Sequence, residues 1–270
     1  LSSTWADETN NKNTNKLEKI IHIDNYSTRQ IKEYVDRFIN VVEEIYFAGG
    51  EPLLMDEHYY ILEELIAKGR NNVYIRYNTN LSKLSYKNKS IIDYWKQFNK
   101  VDIYASLDAT GSVGEYIRNG TNWRKIKENI QIIMDSKAAN FGVNCTPQIF
   151  NILDLPNLIE ELLSLNVDPN TILISNMLTH AEYYNVQTLP DIIKHNVELV
   201  LRDYQKNCKH TSLCKQLDSI IAFMNTPWRS MEDAINQNKM LKHRTLALDN
   251  IRNESYRCLH PIIVNWMDEL

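Results

Sequence analysis

Short apolar runs alternate with amphipathic stretches along most of the chain. Apolar residues at helical spacing predict helices that begin near residues 28, 56, 91, 122, 155, 192 and 217. Runs rich in β-branched and aromatic residues predict strands that begin near residues 45, 73, 101, 141 and 171. Strands that alternate with helices in this way are typical of right-handed βαβ units around a parallel sheet.

The two ends of the chain lack this alternation. The first stretch is polar and asparagine-rich, and we interpret residues 1–24 as an irregular loop. After Thr226 the pattern weakens, which predicts short helices and an extended tail. We therefore predict an α/β core over residues 25–206 and a mostly helical C-terminal extension over 207–270 that packs on the core.

The number of strand–helix units limits which α/β fold the chain can adopt. Five good units are present, fewer than the eight that close a full (β/α)₈ barrel. Neither a Rossmann fingerprint nor a phosphate-binding loop motif occurs. A doubly wound sheet stays open as an alternative, but a partial barrel fits the pattern better.

Composition sets the cellular context. The 270 residues are 43% hydrophobic and 24% charged, with a formal net charge of -4, which argues against a general surface for nucleic acid or anionic membranes. No apolar run approaches the roughly 20 residues that span a bilayer. We therefore expect a cytoplasmic protein.

The cysteines are few and scattered. Cys145, Cys208, Cys214 and Cys258 do not form the even, closely spaced pattern of a disulfide scaffold. Cys208, His210 and Cys214 are near one another but lack the paired spacing of zinc and iron–sulfur motifs. We predict no metal ligands in this chain.

An unusual corner follows the strand that begins near Ile45. The apolar run ends in Gly49, Gly50, Glu51 and Pro52. Adjacent glycines permit positive φ and let a ligand approach bare main chain, while the glutamate adds a charge. The alternative is an ordinary strand-to-helix turn in which Asp56 caps the next helix.

Polar residues also follow the other predicted strands. Because the carboxyl ends of parallel strands meet at one edge, these residues are expected to converge on a ligand site. Each one alone is more often a loop or cap residue, and only their joint placement favours a site. With the corner, the converging residues are Gly49, Gly50, Glu51, Asn78, Asn80, Ser106, Asp108 and Asn144.

These segments resemble radical S-adenosylmethionine enzymes. The corner resembles the Gly-Gly-Glu-Pro motif of that superfamily, and further motifs follow in the expected order over nearly the whole chain. The combination most resembles members that carry a twitch-type region. The motifs are Phe47–Leu53, Tyr77–Asn80, Ser106–Asp108, Tyr116–Gly120, Trp123, Leu189–Asp191 and Arg252.

The resemblance implies a partial (β/α)₆ barrel that binds S-adenosylmethionine. Gly49, Gly50 and Glu51 would accept hydrogen bonds from the methionine ammonium, a group that only donates. Arg118 would pair with the methionine carboxylate through its planar fork. The remaining implied contacts are Ser106 and Asp108 with the ribose hydroxyls, and Pro52, Asn78, Asn80 and Asn144 in the same pocket.

One expected feature is missing from the sequence. The family holds a four-iron four-sulfur cluster on a Cys-x₃-Cys-x₂-Cys loop after the first strand, and this chain has no such loop. Residues 1–5 resemble the segment after the last of those cysteines, so we expect the first strand and the ligands upstream of residue 1. The chain as printed is then expected to be inactive.

Two functional hypotheses follow. In the first, the chain is a fragment of an enzyme that, with an external electron donor, cleaves S-adenosylmethionine to a deoxyadenosyl radical and abstracts a substrate hydrogen. In the second, it is a non-redox α/β domain with a nucleoside-type pocket for binding or scaffolding. The sequence does not specify the substrate, and a peptide is one of the classes that the family permits.

Overall fold

The computed structural model describes residues 28–270. Helices alternate with strands of a mostly parallel sheet, which confirms the predicted α/β class. Two compact units are present. The first contains the chain up to Ala105 together with Ile133–Asn140, and the second contains Ser106–Ile132 and Phe141–Leu270.

The first unit is built on three parallel strands. β1 pairs with β2, and β2 pairs with β5, with Ile45 beside Ile75 and Ile75 beside Val101. Its elements are α1 (Thr28–Phe38), β1 (Glu44–Phe47), α2 (Asp56–Ala67), β2 (Tyr74–Thr79), the hairpin β3 (Ser85–Tyr86) and β4 (Lys89–Ser90), α3 (Ile91–Trp95), and β5 (Val101–Ser106).

The second unit contains most of the remaining elements. Its two strands, β6 and β7, are parallel, with Val143 beside Ile172. The remaining elements of the chain are α4 (Gly111–Ile117), α5 (Trp123–Ser136), β6 (Asn140–Asn144), α6 (Leu155–Ser164), β7 (Ile172–Leu173), α7 (Asp191–Asn207), α8 (Thr211–Asn225), α9 (Met231–Arg252) and α10 (Pro261–Glu269).

Three expectations need correction. Asp56 is the first residue of α2 and not its N-cap; that position belongs to Met55, and the Asp56 carboxylate accepts a 2.6 Å hydrogen bond from Lys87 Nζ. Residues 226–270 are not short helices and a tail, because α9 has 22 residues. The segment after Asp108, where no helix was predicted before residue 122, contains helix α4.

Gly69 ends α2 with φ +67°, and the amide of Arg70 donates to Leu65 O at 2.8 Å, as in a glycine-terminated helix.

The predicted loop over residues 1–24 lies outside the described residues. The boundary at 206/207 stays a prediction. Among residues 28–270, no helix combines the length and apolar character needed to cross a bilayer.

Alternation along β2 separates a core face from an open face. Ile75, Tyr77 and Thr79 are buried, whereas the residues between them are half-buried. Tyr77 stacks on Phe47 at 5.2 Å between ring centroids, and His58 meets Phe47 edge-on at 4.7 Å. This aromatic cluster fixes the end of β1, from which the glycine corner begins.

His58 makes the free energy of unfolding depend on pH. It is 3% exposed, and burial lowers its pKa from 6.5 to about 3. Its Nε2 lies 2.8 Å from the Tyr77 hydroxyl. A lowered folded-state pKa contributes stability that is present above the unfolded value and is lost as pH falls toward the folded value.

We therefore expect wild-type stability to fall below pH 6.5 by up to about 1.4 kcal/mol per pH unit from His58 alone. His58→Gln removes this contribution, so its stability should depend less steeply on pH. Urea unfolding at several pH values between neutral and acidic measures the slopes. The same substitution at exposed His243 is the control, and equal slopes for wild type and His58→Gln would contradict the assignment.

Candidate functional site

The glycine corner bends the chain as soon as β1 has ended. Gly49 and Gly50 have φ of +81° and +54°, values that residues with a Cβ rarely adopt. No heavy atom lies within 4 Å of a Cβ built on either glycine. The glycines are therefore required by backbone conformation, and both are exposed, so their main chain is accessible to a ligand.

Glu51 joins the corner to the end of β2. Its Oε1 accepts from the Thr79 hydroxyl at 2.6 Å, and its Oε2 accepts from the Asn80 amide at 2.8 Å. A third, longer bond of 3.4 Å comes from the amide of Leu53, which starts a 3₁₀ turn with Pro52. A carboxylate offers about four acceptor positions, so these bonds fix Glu51 without exhausting it.

The two asparagines of this unit differ in position. Asn80 follows β2, and its side-chain oxygen accepts from the amide of Ser82 at 2.9 Å, a local turn that holds the loop. Asn78 lies within β2 on the half-buried face. The structure therefore brings Asn80 directly to Glu51, as the strand-end argument predicted, and leaves Asn78 on the open face of the strand.

In the second unit, buried Asp108 and half-buried Arg118 form an ion pair. Arg118 Nε donates to Asp108 Oδ2 at 2.8 Å, with side-chain exposures of 16% and 4% respectively. The other oxygen, Oδ1, accepts from the amide of Thr146 at 3.0 Å. The neighbouring Glu115 does not share this pair; it accepts from the amide of Trp123 at 2.7 Å.

Ser106 and Asn144 end the two strands nearest this pair. Ser106 is the last residue of β5 and Asn144 the last of β6, and both are half-buried. The amide of Leu107 donates to Asn144 O at 3.1 Å, so the chain segments leaving these strands are adjacent. Ser106 and Asn144 therefore lie at strand ends, Asp108 lies just after one, and Arg118 directly follows helix α4.

Helix α4 presents Arg118 to Asp108 by packing tightly on the preceding loop. A Cβ on Gly114 would lie 2.4 Å from the carbonyl oxygen of Ala109. The amide of Arg118 donates to Gly114 O at 3.0 Å, which continues the helix to the arginine. Gly114 therefore sets the distance between the Asp108 loop and the helix end that carries Arg118.

Three residues near the site were missed by sequence reasoning. Thr79 and Thr146 bond directly to the two acidic residues; Thr79 lies between Asn78 and Asn80, and Thr146 lies two residues after Asn144. Asn151, which is 0% exposed, donates to the carbonyls of Asp108 and Thr146. It follows β6 by several residues, so the strand-end argument had no signal for it.

The cysteines of the described residues do not fit an iron–sulfur cluster. Cys145 is fully buried, and burial raises the pKa of its thiol well above the usual value, which opposes the thiolate that a cluster requires. Burial also raises the pKa of Cys258, to about 11. No group of three or more His, Cys, Asp or Glu within residues 28–270 could hold a metal ion.

Comparison with protein families agrees with the motifs. The model of the "Radical SAM superfamily" matches residues 10–161, more than half of the chain. This chain belongs to the radical SAM superfamily. The matched region contains the glycine corner of the first unit and the Asp108–Arg118 pair of the second.

Two solved structures resemble this radical SAM chain at low identity. SuiB from Streptococcus suis, bound to S-adenosylmethionine, is 14% identical with a TM-score of 0.46, over 68% of this chain and 40% of SuiB. Native anSMEcpe, with bound AdoMet and the Cp18Cys peptide, is 15% identical with a TM-score of 0.45, over 67% of this chain and 54% of that protein. No curated protein matched the chain.

Proposed function

We propose that the chain binds S-adenosylmethionine as part of a radical SAM enzyme. The observation that carries the proposal is the ion pair of Arg118, whose guanidinium contacts Asp108 through Nε. Within the described residues, no carboxylate forms an ion pair with either of the two terminal nitrogens of Arg118. A guanidinium held at Nε still presents a planar pair of N–H groups, which matches a carboxylate bidentately.

The other predicted residues take complementary roles in this proposal. The carbonyls of Gly49 and Gly50 and the carboxylate of Glu51 would accept from the methionine ammonium. Ser106 would bind the ribose, and Asp108 would both contact the ribose and hold Arg118. Pro52, Asn78 and Asn80 of the first unit, and Asn144 of the second, are proposed as further residues that contact S-adenosylmethionine. Support comes from their positions at strand ends and from the family match.

The redox step needs a group that this chain does not hold. In the superfamily, a reduced four-iron four-sulfur cluster supplies the electron that cleaves S-adenosylmethionine to methionine and a deoxyadenosyl radical, which takes a hydrogen atom from the substrate. The described cysteines do not fit such a cluster. The residues of this chain would bind and orient S-adenosylmethionine.

Subfamily and substrate are further proposals. The order of motifs through Arg252 supports the twitch-type subgroup. For the substrate, a peptide is the first class to test, together with an external electron donor in the assay. The printed chain spans 40% and 54% of the two similar structures, so the activity of the whole protein is likewise a proposal.

Titration calorimetry with S-adenosylmethionine tests the proposed function. We expect the 270-residue chain to bind S-adenosylmethionine more tightly than methylthioadenosine, which lacks the amino-acid end. We expect no deoxyadenosine from this chain under reducing conditions, because it lacks the Cys-x₃-Cys-x₂-Cys segment. A polypeptide in which that segment precedes residue 1 should release deoxyadenosine; failure there would favour the non-redox binding domain.

Glu51→Gln is expected to weaken binding of S-adenosylmethionine by about tenfold to a hundredfold, because a hydrogen bond to a charged group contributes about 1.5–3 kcal/mol. Glutamine keeps the side-chain length but removes the charge that attracts an ammonium. Calorimetry on the wild type and the variant measures the change.

Thr79→Val is the matched control for Glu51. It removes the hydroxyl that donates to Glu51 Oε1 at 2.6 Å and leaves the carboxylate charged. We expect it to lower the free energy of unfolding by about 1 kcal/mol with a smaller effect on binding than Glu51→Gln. If Glu51→Gln binds as tightly as wild type, the corner is a structural turn and not the ammonium site.

A further inference from the structure

The side-chain amide of Asn151 bridges two backbone carbonyls next to the ion pair. Its Nδ2 donates to Asp108 O at 2.8 Å and to Thr146 O at 3.0 Å, and its Oδ1 accepts from the amide of Gln148 at 2.8 Å. Asn151 is 0% exposed. Both donors and the acceptor are therefore used inside the protein, as a buried amide requires.

The same turn holds the Asp108 loop at a second point. Asp154 Oδ2 accepts from the amide of Thr110 at 2.6 Å and from the Thr110 hydroxyl at 3.1 Å. The amide of Asp154 donates to Asn151 O at 2.8 Å, so the two side chains project from one compact turn. Residues 108–110 are thereby clamped between Asn151 and Asp154.

This arrangement determines where the Asp108 carboxylate stands. Thr146 donates its amide to Asp108 Oδ1 while Asn151 binds the carbonyls of both residues. Without the Asn151 donors, the two buried carbonyls would lose their bridge, and a buried acceptor without a partner is costly. The loop would then move, and Asp108 would carry the Arg118 guanidinium with it.

We propose that Asn151 is a positioning residue for Arg118, acting through Asp108 to aim the terminal N–H groups of the guanidinium at the carboxylate of S-adenosylmethionine. This inference rests on the proposed function. Asn151 itself contacts backbone and the Cys145 thiol, at 3.7 Å, and does not contact the ligand in this scheme. Since Asp108 is also proposed to contact the ribose, its displacement should weaken binding of any ligand with a ribose, but most strongly that of a ligand that also has the carboxylate.

The test compares two ligands on Asn151→Asp, which keeps the shape but replaces the NH₂ donor by an oxygen. We expect the affinity for S-adenosylmethionine to fall at least about tenfold, the equivalent of losing one well-placed interaction, and the affinity for methylthioadenosine to fall by a smaller factor, because only its contact with the ribose is disturbed. The readout is the ratio of the two affinities. A general loss of stability would lower both affinities and leave that ratio unchanged.

Asn238→Asp is the matched control. Asn238 is also buried, at 5% exposure, and its Nδ2 donates to Thr188 O at 3.0 Å, away from the Asp108 loop. The chemical change and the desolvation are the same, so we expect a comparable loss of stability with a wild-type affinity ratio. If Asn151→Asp does not fold, Asn151→Ser, which has one shorter donor and no buried charge, is measured, and its ratio should shift in the same direction.

Three outcomes would overturn the proposal. If the folded Asn151 variants had the same ratio of the two affinities as the wild type, Asn151 would not position Arg118. The proposed function would still stand in that case, provided that the wild type binds S-adenosylmethionine. An equal shift in Asn238→Asp would show that the ratio reports general destabilisation. No preference of the wild type for S-adenosylmethionine over methylthioadenosine would overturn the proposed function and this inference together.

Discussion

Replacing Arg118 with glutamine is expected to abolish measurable binding of S-adenosylmethionine and to destabilise the second unit. The binding loss follows from removing the proposed carboxylate ligand. The stability loss follows from Asp108, which is 4% exposed and would keep a buried charge without its partner. Breaking one side of a buried ion pair costs about 3–5 kcal/mol. Calorimetry and urea unfolding measure the two effects separately.

The double variant Asp108→Asn/Arg118→Gln separates the two roles of the arginine. Without the carboxylate, no buried charge is left unpaired, so most of the lost stability should return. Binding should stay absent, because no guanidinium is present. Arg118→Lys keeps the charge but not the planar fork, and we expect weak binding from it. If the double variant bound S-adenosylmethionine like the wild type, Arg118 would be a structural residue only.

Both carboxylates that the sequence assigned to a cofactor are already bonded within the protein. Glu51 accepts from Thr79 and Asn80, and Asp108 accepts from Arg118 and Thr146. Such bonds hold a side chain in one orientation before a ligand arrives, which reduces the cost of ordering it on binding. The hydrogen bonds that Glu51 and Asp108 already make are therefore compatible with a role of both carboxylates in binding a ligand.

The strand ends of the site could be predicted because parallel strands share one direction. Glu51 and Asn80 follow neighbouring strands, and their contact follows from that geometry. The pairing of Asp108 with Arg118 could not be predicted in the same way. It depends on α4, which is only seven residues long and contains two glycines, so its apolar spacing is too weak to indicate a helix.

The longest helix of the described residues was missed for a related reason. α9 buries Asn238 and Thr245 beside Leu241 and Leu248, so polar residues stand in its core-facing stripe. Apolar residues also lie well away from that stripe, among them exposed Met240 and Leu246. Periodicity cannot identify a helix whose two faces have similar composition. Only tertiary packing on the 3₁₀ turns at Glu182–Tyr184 and Val186–Thr188 selects the buried face.

Gly114→Ala is expected to destabilise the second unit although alanine favours helices. In an open helix the substitution would stabilise by up to about 1 kcal/mol. Here the new Cβ would lie 2.4 Å from the carbonyl oxygen of Ala109, an approach that real structures do not show. That oxygen belongs to rigid backbone, so either α4 or the loop must shift. Overpacking of this kind costs about 1–3 kcal/mol, which outweighs the helix propensity.

The shift should also reach the binding site. Arg118 is bonded through its amide to Gly114 O at 3.0 Å, and the 108–110 loop includes Asp108, so moving α4 against the loop displaces both partners of the ion pair. We expect weaker binding of S-adenosylmethionine together with a lower urea midpoint. Ser112→Ala, on the exposed side of the same helix, is the control and should change stability by less than about 0.5 kcal/mol. A Gly114→Ala variant more stable than wild type would show that helix propensity prevails over the contact with Ala109.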